Sequence, residues 1–171
     1  MISLSVSGMI DTLQCLGRRL LASGYSTSFL NCSQSYVYYD LDEARRSVKE
    51  VGERIAKDGL PMGLEPLVFA FTGTGNVTKG ALEVFRLLPH KMISLDEAKA
   101  IKNTPGPHKC VYGVMVEQKD LVCKPKSDEP FNVKHYRENP SEYESIFHKN
   151  VAPICNVLVN GIYWDERYPR E

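Results

Sequence analysis

Apolar residues recur at helical spacing in several stretches of the chain and form one unbroken run. Met9, Ile10, Leu13, Leu16, Leu20 and Leu21 make a stripe, with Arg18 and Arg19 on the other side and Gly24 as a stop. This spacing predicts a helix over 9–22. The polar stretch 24–39, rich in serine and tyrosine, reads as a connecting loop with short extended pieces. A second helix follows. Asp40 is its cap, Glu43 completes a capping box, and Leu41, Ala44, Val48, Val51 and Ile55 repeat at three and four until Gly59 and Pro61.

The unbroken run is Leu67-Val68-Phe69-Ala70-Phe71, between Pro66 and a glycine turn. Five consecutive apolar residues suit a strand buried on both faces of a parallel sheet. The turn then opens a third helix over 77–88, with Ala81, Val84, Phe85 and Leu88 inward and Pro89 as its stop. A strand over 91–94, a short helix over 96–102 and a strand over 111–116 follow. The span 121–136 is charged and contains proline, so it is expected to be mostly loop. Asn139-Pro140 marks a turn, Ser141 and Glu144 cap a short helix reaching His148, and 156–163 reads as another core strand.

Thr72-Gly73-Thr74-Gly75-Asn76-Val77-Thr78-Lys79-Gly80-Ala81 is the segment with chemical potential. It leaves a buried strand and opens a helix, the context in which a glycine pattern is informative. Gly73 permits a tight turn, and Gly75 lets backbone approach a pyrophosphate. The helix behind them offers free N–H groups and the positive end of its dipole. Gly80 and Ala81 are expected to hold helix and strand together. In G-x-G-x-x-G the third glycine would stand at 78, where this chain has Thr78. The rival nucleoside-triphosphate loop, G-x-x-x-x-G-K-[ST], fits Gly75 to Gly80 but then meets Ala81 and Leu82, with no lysine for the phosphates. A plain tight strand-to-helix turn is the third alternative. About twenty residues on, a dinucleotide fold places its ribose-reading residue. That points to the neighbourhood of Ser94 and Asp96. A serine there leaves room for the 2′-phosphate of NADP, with Lys91 or Lys99 as partners.

Composition narrows the class. The chain has 171 residues, 43% hydrophobic and 25% charged, with zero formal net charge. That is ordinary globular composition. It argues against nucleic-acid and membrane partners, which draw on a basic excess. No apolar run approaches the roughly 18 residues of a membrane span. The first residues lack the basic character of a secretory signal or transit peptide. Five cysteines, Cys15, Cys32, Cys110, Cys123 and Cys155, are scattered without C-x-x-C spacing. No metal site is expected from them, and reduced thiols in a cytosol-like compartment are. His90, His108, His135 and His148 read as surface residues.

Several stretches resemble lysine-ketoglutarate reductase, the N-terminal half of the bifunctional aminoadipate semialdehyde synthases of plants and animals. They are Leu67-Val68-Phe69-Ala70-Phe71-Thr72-Gly73-Thr74-Gly75-Asn76-Val77, Lys79-Gly80-Ala81 and Leu87-Leu88-Pro89-His90. Gly8-Met9-Ile10-Asp11, Leu20-Leu21-Ala22-Ser23-Gly24-Tyr25-Ser26-Thr27, Phe29-Leu30, Ser35-Tyr36, Gly59-Leu60-Pro61 and Val159-Asn160-Gly161-Ile162-Tyr163-Trp164 agree as well. The likeness runs over essentially the whole chain, in wording nearest to plant members. Ser28 departs from a usual proline, and the first seven residues depart from the run that precedes Gly8 in relatives.

The resemblance implies an α/β, Rossmann-type parallel sheet of alanine dehydrogenase-like kind, incomplete here and preceded by two helices of the interdomain region. The domains would be 1–64, helical, and 65–171, a partial dinucleotide-binding domain. It implies NADPH as cofactor, NADH being less favoured, with lysine and 2-oxoglutarate as substrates condensed reductively to saccharopine. Gly73, Gly75, Asn76, Val77 and Gly80 would lie under the pyrophosphate. Asn160, Gly161, Ile162 and Tyr163 would stand where the nicotinamide passes. Catalytic residues are not identifiable, because in this family the acid/base and dicarboxylate-binding groups lie mainly ahead of Gly8. The chain is therefore expected to be a fragment, with an inactive nucleotide-binding or interaction remnant as the rival reading. A dehydrogenase of the same fold acting on another amino acid is a second rival. The cytoplasm is the expected compartment, mitochondria the alternative, and self-association is left open.

Overall fold

The computed structural model describes residues 4–104, 107–125, 130–162 and 166–169. In chain order the elements are α1 (Leu4–Ala22), α2 (Leu41–Asp58), β1 (Val68–Thr72), α3 (Asn76–Phe85), β2 (His90–Ile93), α4 (Leu95–Ile101) and β3 (Val111–Val116). Then come α5 (Gln118–Leu121), β4 (Val122–Cys123), α6 (Val133–Glu138), β5 (Glu144–Ser145), α7 (Phe147–Asn150) and β6 (Val157–Asn160).

The main sheet is parallel, in the order β2-β3-β1-β6. β1 is central and every residue of it is buried, as its apolar run required. Its side chains alternate between two cores. Leu67, Phe69 and Phe71 join the cluster built by α1, α2 and α3, while Val68 and Ala70 face Val114, Val116, Tyr136, Tyr143 and Val151. Helices thus cover both faces, the arrangement an all-parallel sheet needs. Residues on either side of position 65 share the first of these cores. Phe85 anchors it, with ring centroids 5.2 Å from Phe69 and 5.1 Å from Phe71.

Helix ends follow their sequence signals closely. Asp40 accepts the Glu43 N–H at 2.7 Å, and Gly59 closes α2 with φ 80° while its N–H donates to the Ile55 carbonyl. The Glu43 carboxylate reaches one residue further back than the expected box, accepting the Tyr39 N–H. Other elements differ from expectation. α1 begins at Leu4, because Val6 adds an inward position ahead of the stripe, and Leu21 points to solvent. β2 starts one residue early, and Ser94 is the cap of α4 rather than a strand residue. The region expected to be loop contains α5, β4 and α6. Instead of one capped helix after Ser141 there is a single turn at 140–142, then β5 and α7. These pieces are too short to announce themselves by periodicity. Packing of Phe131, Tyr136 and Tyr143 holds them, with ring centroids 5.0–5.9 Å apart.

Candidate functional site at the carboxyl edge of the sheet

Thr72 ends β1, and the chain turns through Gly73 into α3. Gly73 has φ +75°, a conformation that favours glycine, and a Cβ there would lie 2.7 Å from the Gly161 carbonyl oxygen. Gly75 is the N-cap of α3, with no side chain capping that end. Its φ of −78° is open to any residue, and a Cβ on it would meet nothing within 4 Å. The turn therefore presents an open space in front of the uncapped N-terminus of a ten-residue helix. Backbone N–H groups and the helix dipole there suit a phosphate. Asn76 and Val77 are exposed at this mouth, Val77 by 51%.

Gly80 sits elsewhere. Its missing side chain faces α1, and a Cβ would fall 2.1 Å from Ser5 Oγ. It sets how closely α1 and α3 approach. Ala81 is buried in the same core.

Thr72 and Thr78, which the motif left out, tie the edge together. Thr78 is 1% exposed and its hydroxyl donates to the Thr72 carbonyl at 2.9 Å. That carbonyl also accepts the Gly161 N–H at 3.2 Å. The Thr72 hydroxyl donates to Asn160 Oδ1 at 2.9 Å, and Asn160 Oδ1 accepts the Ile162 N–H at 3.1 Å. The third glycine of a dinucleotide fingerprint lets helix and strand approach. Here a buried threonine bonds the strand end instead. Gly161 is confined by the same contacts, since a Cβ on it would lie 2.2 Å from Thr78 Oγ1. The signal in the sequence was Thr78 itself, standing where a glycine was expected.

Gly73, Gly75, Asn76, Val77, Asn160, Gly161 and Ile162 thus meet at the carboxyl ends of β1 and β6. Tyr163 lies outside the described residues. Beside them runs a cleft of about 390 Å³ lined by Leu4, Met9, Val77, Leu158 and Asn160 among others, and among the described residues none of the lining side chains is ionisable. β1 is also where the chain changes direction in the sheet, with β3 on one side and β6 on the other. Open parallel sheets take ligands at such a switch point.

The strand order bears on the neighbourhood of Ser94 and Asp96, to which sequence spacing pointed. In the usual doubly wound order the second strand lies next to the first. Here β3 takes that place and β2 is displaced to the edge. Ser94 and Asp96 therefore follow a strand that does not touch β1. The Ser94 N–H and hydroxyl both donate to Glu97, whose carboxyl they hold below the usual carboxylate range.

Among the described residues, no group of three or more His, Cys, Asp or Glu could hold a metal ion, and no helix is long and apolar enough to cross a membrane. All five cysteines are free; burial pushes the Cys32 thiol up to about 12 and raises Cys155 as well.

A parallel sheet covered on both faces, with a glycine turn at its switch point, defines a Rossmann-like α/β protein. By sequence the chain is similar, over nearly all its length, to one segment of the alpha-aminoadipic semialdehyde synthases, so the resemblance is borne out. The enzyme of Arabidopsis thaliana is 40% identical over 173 residues, taking in 95% of this chain. The mitochondrial enzymes of Rattus norvegicus and Mus musculus are 37% and 36% identical over 165 residues, each match taking in 96% of this chain. The chain spans only 16–18% of the length of these relatives. No protein-family model matches it.

Proposed function

We propose that this chain is the cofactor-holding segment of an NADP-dependent oxidoreductase of lysine catabolism, which condenses L-lysine with 2-oxoglutarate to saccharopine. The observation that carries the reading is the uncapped start of α3, facing open space in front of Gly75 at the switch point of the sheet. The N–H groups at 75–77 would hold the pyrophosphate. The apolar cleft beside Val77, Leu158 and Asn160 would receive the nicotinamide ring and keep water from it. When bound, NADPH supplies a hydride to the imine carbon. Thr72, Thr78 and Asn160 act by fixing the backbone of the turn. Free thiols suit the cytosol and the mitochondrial matrix alike; the rodent relatives are named mitochondrial.

Gly75→Val tests the binding reading. The backbone at 75 accepts a side chain and no neighbour obstructs it. The fold is therefore expected to survive while the phosphate's place is filled. Loss of NADPH binding in a fluorescence titration, with unchanged circular dichroism, supports it. Unchanged affinity removes it.

A second reading is favoured by one observation. Imine chemistry needs a general acid/base, and dicarboxylate recognition needs cations, but among the described residues the cleft beside the turn is lined by no ionisable side chain. The chain would then bind dinucleotide without turning it over. Saccharopine-forming NADPH oxidation, assayed on the chain alone, separates the two: turnover supports the enzyme, binding without turnover the inactive module.

A further inference from the structure

A second cleft, of about 280 Å³, lies between α1 and the segment that follows it. Gln14 and Arg18, one helical turn apart on α1, form one wall, and Leu30, Cys32, Ser33 and Gln34 belong to the other. Gln14 is only 6% exposed, an unusual burial for a carboxamide. Its oxygen takes a 3.7 Å contact from the Cys15 thiol. Among the described residues its nitrogen has no partner, which is costly for a buried donor. Arg18 is exposed and, among the described residues, pairs with no carboxylate. The Gln34 oxygen accepts from the Tyr36 hydroxyl and the Ser33 N–H donates to the Tyr38 hydroxyl. The Gln34 nitrogen and the Ser33 hydroxyl have no partner among the described residues.

Four side chains able to donate thus line the cleft, and among the described residues no acidic one does. Asp11, the one acidic residue of α1, is taken up by the Ser35 N–H at 2.6 Å and the Ser35 hydroxyl at 3.0 Å. Burial keeps the Cys32 thiol protonated, pushed up to about 12, so it adds no negative charge. We propose that this cleft binds a small monocarboxylate, with the acid group on Arg18 and Gln14 and a short apolar chain against Leu30 and Val37. A guanidinium fork matches a carboxylate bidentately, and one cation calls for one acid group. Leu30 and Val37, 38% and 60% exposed, supply apolar surface at the same cleft. Pockets for drug-sized ligands start at about 300 Å³, so a ligand of only a few carbons fits. The proposal is independent of the glycine turn.

The experiment titrates the full chain with pentanoate, and with pentanol as its uncharged counterpart. Heteronuclear NMR follows the side-chain N–H signals of Gln14, Gln34 and Arg18. Pentanoate should shift them saturably in the millimolar range, and pentanol should leave them in place. Arg18→Met keeps a long side chain and breaks no bond among the described residues, so circular dichroism should not change. It should weaken pentanoate by about tenfold, the share of one charge-assisted contact. Gln14→Met should weaken it as well, with Arg18→Met deciding the matter if the buried substitution disturbs the helix. Absence of saturable shifts with pentanoate overturns the proposal. So do equal shifts with pentanol, which would mark a plain apolar crevice, and unaltered pentanoate affinity in Arg18→Met.

Discussion

Replacing Thr78 by valine keeps the shape of the side chain and removes one hydrogen bond. Thr78 is buried, and its hydroxyl is one of two donors to the Thr72 carbonyl, the other being the Gly161 N–H. Losing a neutral buried bond costs about 1 kcal/mol, with the remaining donor sparing the carbonyl full isolation. A methyl is also larger than the oxygen it replaces, and the oxygen is already so close to Gly161 that a Cβ there would sit 2.2 Å away. Overpacking of this kind adds about 1 kcal/mol. The sum is about 2 kcal/mol, or a fall in melting temperature of roughly 4–8 °C for a chain of this size. Urea unfolding of wild type and Thr78→Val, followed by circular dichroism, measures it. Hydrogen exchange at the Gly161 amide should quicken in parallel, because that N–H shares the affected carbonyl. A change below about 0.3 kcal/mol, with Gly161 exchange unaltered, would refute the argument that Thr78 locks the strand end.

Phe85→Ala removes the ring that meets Phe69, Phe71 and His90 and should cost about 3–5 kcal/mol in chemical unfolding; a loss under 1 kcal/mol would mean that the core collapses around the gap. The Cys32 thiol titrates at about 12 in the folded chain against an ordinary 9.0. The folded state thus holds a proton that the unfolded state gives up in between. The contribution of Cys32 is therefore full below pH 9 and falls as pH rises, by about 1.4 kcal/mol per unit up to pH 12. Cys32→Ala should flatten the alkaline limb of the stability profile relative to wild type, and parallel profiles would exclude this origin.

The legible parts of the fold were those whose signal is local. Five apolar residues in a row announced β1, and the full set of cap, spacing and terminal glycine announced α2. Strand order is a different kind of fact. Nothing in the periodicity of 90–93 or 111–116 says which strand will lie against β1, so counting twenty residues onward led to Ser94, which follows the edge strand β2, and not to the end of β3. β2 does carry a weak clue in Lys91 and the half-exposed Met92, since edge strands tolerate such residues. Asn160 and Gly161 were legible as a strand end, but their partners were not. Thr72 and Thr78 lie 88 and 83 positions away in sequence, and only the assembled sheet brings them together. The short elements between 118 and 150 owe their form to aromatic packing rather than to their own residue pattern.

The shared core of α1 and α3 has a consequence for the order in which the molecule is made. α1 buries Val6, Met9, Ile10 and Leu13 in the cluster that also holds Phe69, Phe71 and Phe85. Phe29 and α2, which follow α1 in the chain, cover part of that stripe, while the side that packs on α3 stays open until β1 and α3 have been made. Until then that side is open to chaperones and to other nascent chains. Docking of α1 against Gly80 then fixes how closely it lies to α3, the helix that opens at Gly75.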